Sequence, residues 1–190
     1  MVDVAIIGGG PAGLSAALFT AKNGLETVVF DTDETWMHKA HLFNYPGIRS
    51  ISGSEFMELT RGQVRDQGAD VRVGEEVTDI EPDGDGFLVE TEDEIYDADY
   101  VVLATGADRS IAEDLECAFD DEDTVDVDLN METTVTDLYA TGAMVRAEEW
   151  QAVIAAGDGG SAALDILSKE KGEHFHDFDV PDDVPGLESE

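Results

Sequence analysis

Positive charge is what this chain has least of. Only 10 of its 190 residues are Lys or Arg, against 45 Asp or Glu, and the formal net charge is −35. So few cations leave no basic stripe to neutralise phosphates, which argues against nucleic acid as a partner and, on the same ground, against an anionic membrane surface. Cysteine is almost absent. The single Cys117 cannot close an internal disulfide, so the fold rests on its core, and no dithiol relay exists within the chain. Cys117 sits among acidic neighbours, a setting that predicts an ordinary buried, unreactive thiol. Long apolar runs are missing as well. Val4 to Ile7 has the length of a strand, and Met1 is followed at once by Val2 and Asp3, so neither a membrane span nor a signal peptide is expected. The expected location is cytoplasmic. A surface this uniformly charged repels itself in dilute buffer, and concentrated salt shortens that repulsion to a few ångströms. The charge is therefore read as adaptation to a salt-accumulating (halophilic) cytoplasm, with an acidic binding surface as the alternative.

What is present suffices for one core. Apolar residues make up 42% of the chain, which fits a single globular domain over residues 1–172, followed by an acidic, partly mobile or surface-draped tail over 173–190. Val2–Ile7 reads as a strand, residues 8–13 as a glycine-rich turn, 14–23 as a helix and 27–30 as a second, buried-type strand. Residues 36–45 look irregular, and Asn44-Tyr45-Pro46-Gly47 is turn chemistry. Residues 52–67 read as a helix with Ser54 as its N-cap. A period of two follows: Val71 and Val73, then a hairpin of 77–81 and 87–91, then an apolar strand over 100–104. Residues 110–123 are acidic and ambiguous, 134–141 read as a strand, and Ala152–Lys171 as a helix. Gly157, Gly159 and Gly160 are poor helix formers and point to a close approach there. The expected fold class is α/β: a Rossmann-like domain with a parallel sheet, a β-meander and flanking helices.

One motif carries chemistry in full context. Gly8-Gly9-Gly10-Pro11-Ala12-Gly13 is a G-x-G-x-x-G that follows a strand, opens a helix and precedes a second strand ending in Asp31. Gly8 permits the turn, Gly10 lets backbone approach a pyrophosphate, and Gly13 allows close helix–strand packing. Main-chain N–H groups at the helix start suit phosphates, and an acid about 20 residues on suits a ribose diol. Both FAD and NAD use this fingerprint. The apolar strand running into Ala104-Thr105-Gly106 favours FAD, since small residues there let the chain pass close to a bound adenosine.

With Leu138-Tyr139-Ala140-Thr141-Gly142, Gln151-Ala152 and the run from Ala155 to Ala163 added, the chain resembles the FAD domain of thioredoxin reductase-like flavoproteins, a branch of the pyridine nucleotide-disulfide oxidoreductases. The resemblance spans most of residues 2–171. It implies an FAD site that includes Thr105, Gly106, Gly142 and Ala143, with Asn44, Gln151 and Ala152 near the flavin ring, and it implies a homodimer. Main-chain N–H groups at the start of the last helix suit negative charge on a reduced flavin, and Asp158 is read as a capping residue. The family inserts an NADPH domain after the Ala-Thr-Gly segment. Here only residues 108–133 lie between the landmarks, with no second glycine fingerprint and no Cys-x-x-Cys. The family's usual Asp after the Tyr-Ala-x-Gly strand is Ala143, and its Gly-Gly-Gln stretch is His38-Lys39-Ala40-His41. His38 and His41 are the catalytic candidates, since a histidine beside a flavin can pass a proton; the alternative is two loop histidines without a role. Trp36, Phe43 and Trp150 are candidates to stack on a ring system, with core packing as the commoner fate of such residues, and no metal site is read. The expected function is an FAD flavoprotein with an external electron donor, NAD(P)H or a redox partner protein. The alternatives are a non-catalytic dinucleotide sensor or scaffold, or a subunit completed by another chain.

Overall fold

The computed structural model describes residues 1–179. β1 (Val2–Ile7), α1 (Pro11–Lys22) and β2 (Thr27–Asp31) form the strand–helix–strand unit, with Val4 of β1 opposite Thr27 in a parallel pair. Parallel neighbours need a crossover, and α1 supplies it. A short antiparallel pair, β3 (His41–Leu42) with β4 (Ile51–Ser52), leads into α2 (Gly53–Asp66), after which β5 (Asp70–Val73) joins β2 in parallel. β6 (Val77–Asp83), β7 (Gly86–Thr91) and β8 (Ile95–Leu103) make the meander. α3 (Ser110–Asp114), β9 (Leu138–Ala140) and α4 (Ala152–Lys171) complete the chain.

β8 carries the topology. Its first half pairs with β7 in the meander, while Val101–Leu103 pair in parallel with β9 along the same edge. Its other edge pairs in parallel with β1. The sheet runs β5-β2-β1-β8-β7-β6, with β9 beside β8. This is the Rossmann-like α/β arrangement with a meander and flanking helices.

Alternation along the strands divides the core into two. Val4 and Ile6 of β1, with Val29 and Val102, pack under α1, α2 and α4 against Leu14, Met57, Val64 and Ile166. Ala5, Ile7, Val28, Phe30, Val101 and Leu103 face the other way, against the meander and the 112–125 connector, where Cys117 is buried. Burial raises the Cys117 thiol above its ordinary range, as an inert thiol requires.

Several boundaries differ from the sequence reading. Ser52, not Ser54, caps α2, accepting a hydrogen bond from the Glu55 N–H at 3.3 Å. The strand expected over 134–141 shrinks to Leu138–Ala140, because Asp137 adopts a left-handed φ of 62° that breaks an extended run. Asp158 does not cap α4. Gln151 holds that position, and Asp158 lies inside the helix. The close approach expected at Gly157, Gly159 and Gly160 belongs to Gly159: a Cβ there would collide with the Ala12 carbonyl oxygen of α1. Of the acidic tail, residues 173–179 follow the Gly172 cap, and Asp177 pairs with Lys22 of α1 at 2.8 Å. Residues 180–190 lie outside the described residues.

Gly159→Ala therefore overpacks the α1–α4 contact and lowers stability by about 1–3 kcal/mol. Gly157→Ala, where a Cβ meets nothing within 4 Å, raises helix propensity and leaves stability unchanged or higher. Chemical denaturation of the two variants in molar salt checks the contrast.

Candidate functional site

A cleft of about 960 Å³ opens beyond the carboxyl ends of β1, β2, β8 and β9. It begins where the sheet order reverses: β2 lies on one side of β1 and β8 on the other. In open α/β sheets that reversal leaves a crevice between neighbouring strand ends.

The glycine turn forms the floor. Gly8 has φ of 109°, and a side chain there would drive into the Ala104 carbonyl. Gly10 is the opposite case: a Cβ built on it meets only the Thr35 hydroxyl, at 3.8 Å, so its backbone is open to a ligand. Gly8, Gly10, Pro11 and Ala12 line the cleft, and Gly13 does not. Gly13 instead lets α1 close on the Gly8 carbonyl, where any side chain would clash.

Besides the short α3, two long helices open on this cleft. α1 starts at Gly10 with Pro11 in its first turn, and α4 starts at Gln151. Neither has a side-chain cap or an acidic residue in its first turn. α2, which starts away from the cleft, has both Ser52 and Glu55. The two uncapped N-termini leave unpaired N–H donors and partial positive charge along the cleft.

Asp31 ends β2 almost fully buried and lines the cleft. Its Oδ1 accepts from the Asp33 N–H at 2.9 Å, and its Oδ2 accepts from Arg61 of α2 at 2.6 Å. Gly9 is required beside it, because a Cβ at Gly9 would strike this carboxylate. Arg61 also pairs with Asp33, and Asp33 in turn meets His38 Nε2 at 2.8 Å. The Arg61 and then the His38 hydrogen bonds hold the Asp33 carboxyl below its ordinary range. Its contribution to stability is thus present above the unfolded carboxylate range and is lost as pH falls through the depressed folded value.

The resemblance placed Asn44 and Gln151 at one end of the site. The fold joins them: the Asn44 amide donates to Gln151 Oε1 at 2.7 Å, and both line the cleft with Ala152. Thr105, Gly106, Gly142 and Ala143 line it too, and the Thr105 hydroxyl donates to the Asp108 carbonyl at 2.7 Å. The histidines separate. His41 lines the cleft, with Nε2 at 2.9 Å from the Ser50 hydroxyl and its ring 4.6 Å from Phe43. His38 is not among the residues lining the cleft, and its two ring nitrogens meet Asp33 and Ser54.

Four features went unforeseen. Arg61 is one. Arg146 is another: it lines the cleft and pairs with the buried Asp158 at 2.5 Å, which is why that acid is tolerated inside α4. Third, the aromatics for which core packing is the commoner fate are exposed, Trp36 by 56%, Trp150 by 45% and Phe43 by 72%, and the two tryptophans meet each other on the cleft wall at 5.3 Å. Fourth is charge. Asp31, Glu34, Glu75, Glu76, Asp108, Asp114 and Glu149 all line the cleft, against Arg146 as its one Lys or Arg.

Residues 2–52 and 44–160 match the pyridine nucleotide-disulphide oxidoreductase family. The chain belongs to that family. The thioredoxin reductase of Peptoclostridium acidaminophilum is 34% identical over 114 residues, 58% of this chain and 36% of that protein. This chain thus spans about a third of the length of such relatives. Among solved structures, a thioredoxin reductase from Gloeobacter violaceus superposes with a TM-score of 0.84 at 21% identity, covering 95% of this chain and 98% of that one. A ferredoxin-flavin thioredoxin reductase from Clostridium acetobutylicum gives 0.78 at 19% identity, covering 90% and 99%. These structures share its fold. Within the family domain, no helix among the described residues is long and apolar enough to cross a membrane.

Arg61→Met strands a buried carboxylate and costs about 3–5 kcal/mol. Adding Asp31→Asn recovers part of that loss, which a double-mutant cycle measured by denaturant unfolding resolves.

Proposed function

We propose that this domain holds FAD and works as an oxidoreductase whose electrons arrive from outside the chain. The convergence of two uncapped helix N-termini on a cleft at the sheet's reversal point carries the reading. The residues fit the cofactor. Gly10 leaves open backbone for the pyrophosphate, with Gly8, Pro11 and Ala12 lining the cleft around it, and Asp31 keeps lone pairs for a ribose diol. Thr105 and Gly106 border the adenosine side, Gly142 and Ala143 the ribityl chain, and Asn44, Gln151 and Ala152 the ring. FAD, when bound, supplies hydride or single-electron transfer. The chain's own part is to orient the ring through the Asn44–Gln151 pair and to present the α4 N–H groups to negative charge developing near it. Of the two candidate histidines, His41 lines the cleft and is the one we assign to hold or pass a proton.

The electron source follows from what separates Gly106 from β9. The connector holds α3 and an isolated bridge between Phe119 and Val125 and is too short for a second nucleotide domain. NAD(P)H binding transiently, or a partner protein, fills that role; the ferredoxin-flavin relative sets a precedent for an external donor. Ala143 favours a second reading, a dinucleotide sensor, because an alanine offers the ribityl hydroxyls no acceptor.

Anaerobic titration of the FAD-loaded protein separates the two. The oxidoreductase reading predicts bleaching by NADH or NADPH, or by a reduced ferredoxin, and rapid return of colour with ferricyanide. A flavin that only dithionite reduces favours the sensor. A further outcome follows from the cleft's carboxylates: FAD affinity rises by roughly tenfold between about 0.1 M and about 2 M KCl, as screening removes their repulsion of the pyrophosphate. Fluorescence titration over the range where circular dichroism shows an intact fold measures it.

A further inference from the structure

Trp36 and Trp150 are the chain's only tryptophans, and both stand on the cleft wall with about half of each indole in water. Their rings meet at 5.3 Å with a 52° tilt. The placement is fixed. The Trp150 indole N–H donates to the Arg146 carbonyl at 2.9 Å, and Trp36 opens a short 3₁₀ turn, Trp36–Lys39, in which the Thr35 hydroxyl accepts from the Met37 N–H at 3.3 Å. Large apolar rings left uncovered beside a pocket, one of them oriented by its indole hydrogen bond, mark a contact surface.

The charge around the pair selects the occupant. Glu34 lies two residues before Trp36 and Glu149 directly before Trp150. Both are exposed, both line the cleft, and neither makes an ion pair among the described residues. The nearby cation Arg146 makes its ion pair with Asp158 and also feels the Glu149 carboxylate through space, which leaves Glu34 as the carboxylate with no cation beside it. Indole faces attract cations through the ring quadrupole, and tryptophan is the best of the aromatic side chains at doing so. Unpaired carboxylates beside it add attraction for a positive group and repel an anionic one.

We propose that Trp36, Trp150, Glu34 and Glu149 form a recognition site for a small molecule bearing an organic ammonium group. The site stands beside Gln151 and Asn44. Its role as the seat of a redox substrate rests on the FAD reading above, but its binding of the cation does not.

Isothermal titration calorimetry on the full chain at one fixed KCl concentration, with and without added FAD, tests it. Choline is the probe, and its uncharged analogue with carbon in place of nitrogen is the control. Saturable choline binding, at least roughly tenfold tighter than the carbon analogue, is expected. Trp36→Ala abolishes it, and Glu34→Gln with Glu149→Gln weakens it severalfold, with the melting temperature confirming an intact fold. Trp150→Phe, which keeps an aromatic face, retains part of the binding. Absence of choline binding, equal affinity for the carbon analogue, or indifference to Trp36→Ala in a folded variant overturns the proposal. Choline binding by a protein that takes up no FAD would sink the cofactor reading and leave this site standing. FAD uptake without choline binding would do the reverse.

Discussion

The backbone of α1 is pressed between two others. On one side Gly13 rests on the Gly8 carbonyl of its own entry turn, and on the other Gly159 of α4 rests on the Ala12 carbonyl, with no room for a side chain at either point. Protein interiors tolerate little overpacking, so these two contacts fix where α1 begins relative to the strand ends and where α4 lies against it. Because both helices also lack side-chain caps, the same packing that closes the core brings two sets of free N–H donors to one cleft. The glycines here serve close approach more than flexibility.

The scarce cations are distributed accordingly. Arg61 neutralises Asp31, Arg146 neutralises Asp158, and Lys169 bridges Glu132 and Asp137 while lying over the buried Tyr139 ring. Lys22 holds Asp177 of the tail. Buried or half-buried carboxylates thus receive much of the available positive charge, and the exposed ones are left to solvent and salt. The cleft inherits this imbalance: acidic side chains, two aromatic faces and the start of two uncapped helices line it, with Arg146 as its one Lys or Arg.

The glycine turn, the strand–helix–strand unit, the meander and the reach of α4 were legible because each rests on local spacing: period two, period near four, and glycine at forced turns. The meeting of Asn44 with Gln151 was legible only through the family resemblance, since the two are far apart in the chain. Arg61 was not legible. Its partner Asp31 lies on another element, and the one signal was a cation within an amphipathic helix of a chain nearly devoid of them. Asp158 was misjudged for the same reason, because its partner Arg146 lies outside the helix. The exposure of the tryptophans was not legible because composition favours the core for aromatics, whereas the three-residue step from Asp33 to Trp36 carries the chain out over the cleft. His38 and His41 look alike in sequence, yet the short β3 strand turns only His41 toward the cleft.

The function proposed for this domain turns on whether the cleft above Gly8–Gly13 holds FAD. Acid release and chromatographic identification of the chromophore from protein purified in molar salt tests it most directly. FAD at close to one per chain is expected, either as purified or after incubation with added FAD. A protein that stays colourless with FAD present, yet remains folded and binds NAD(H), would contradict the FAD reading.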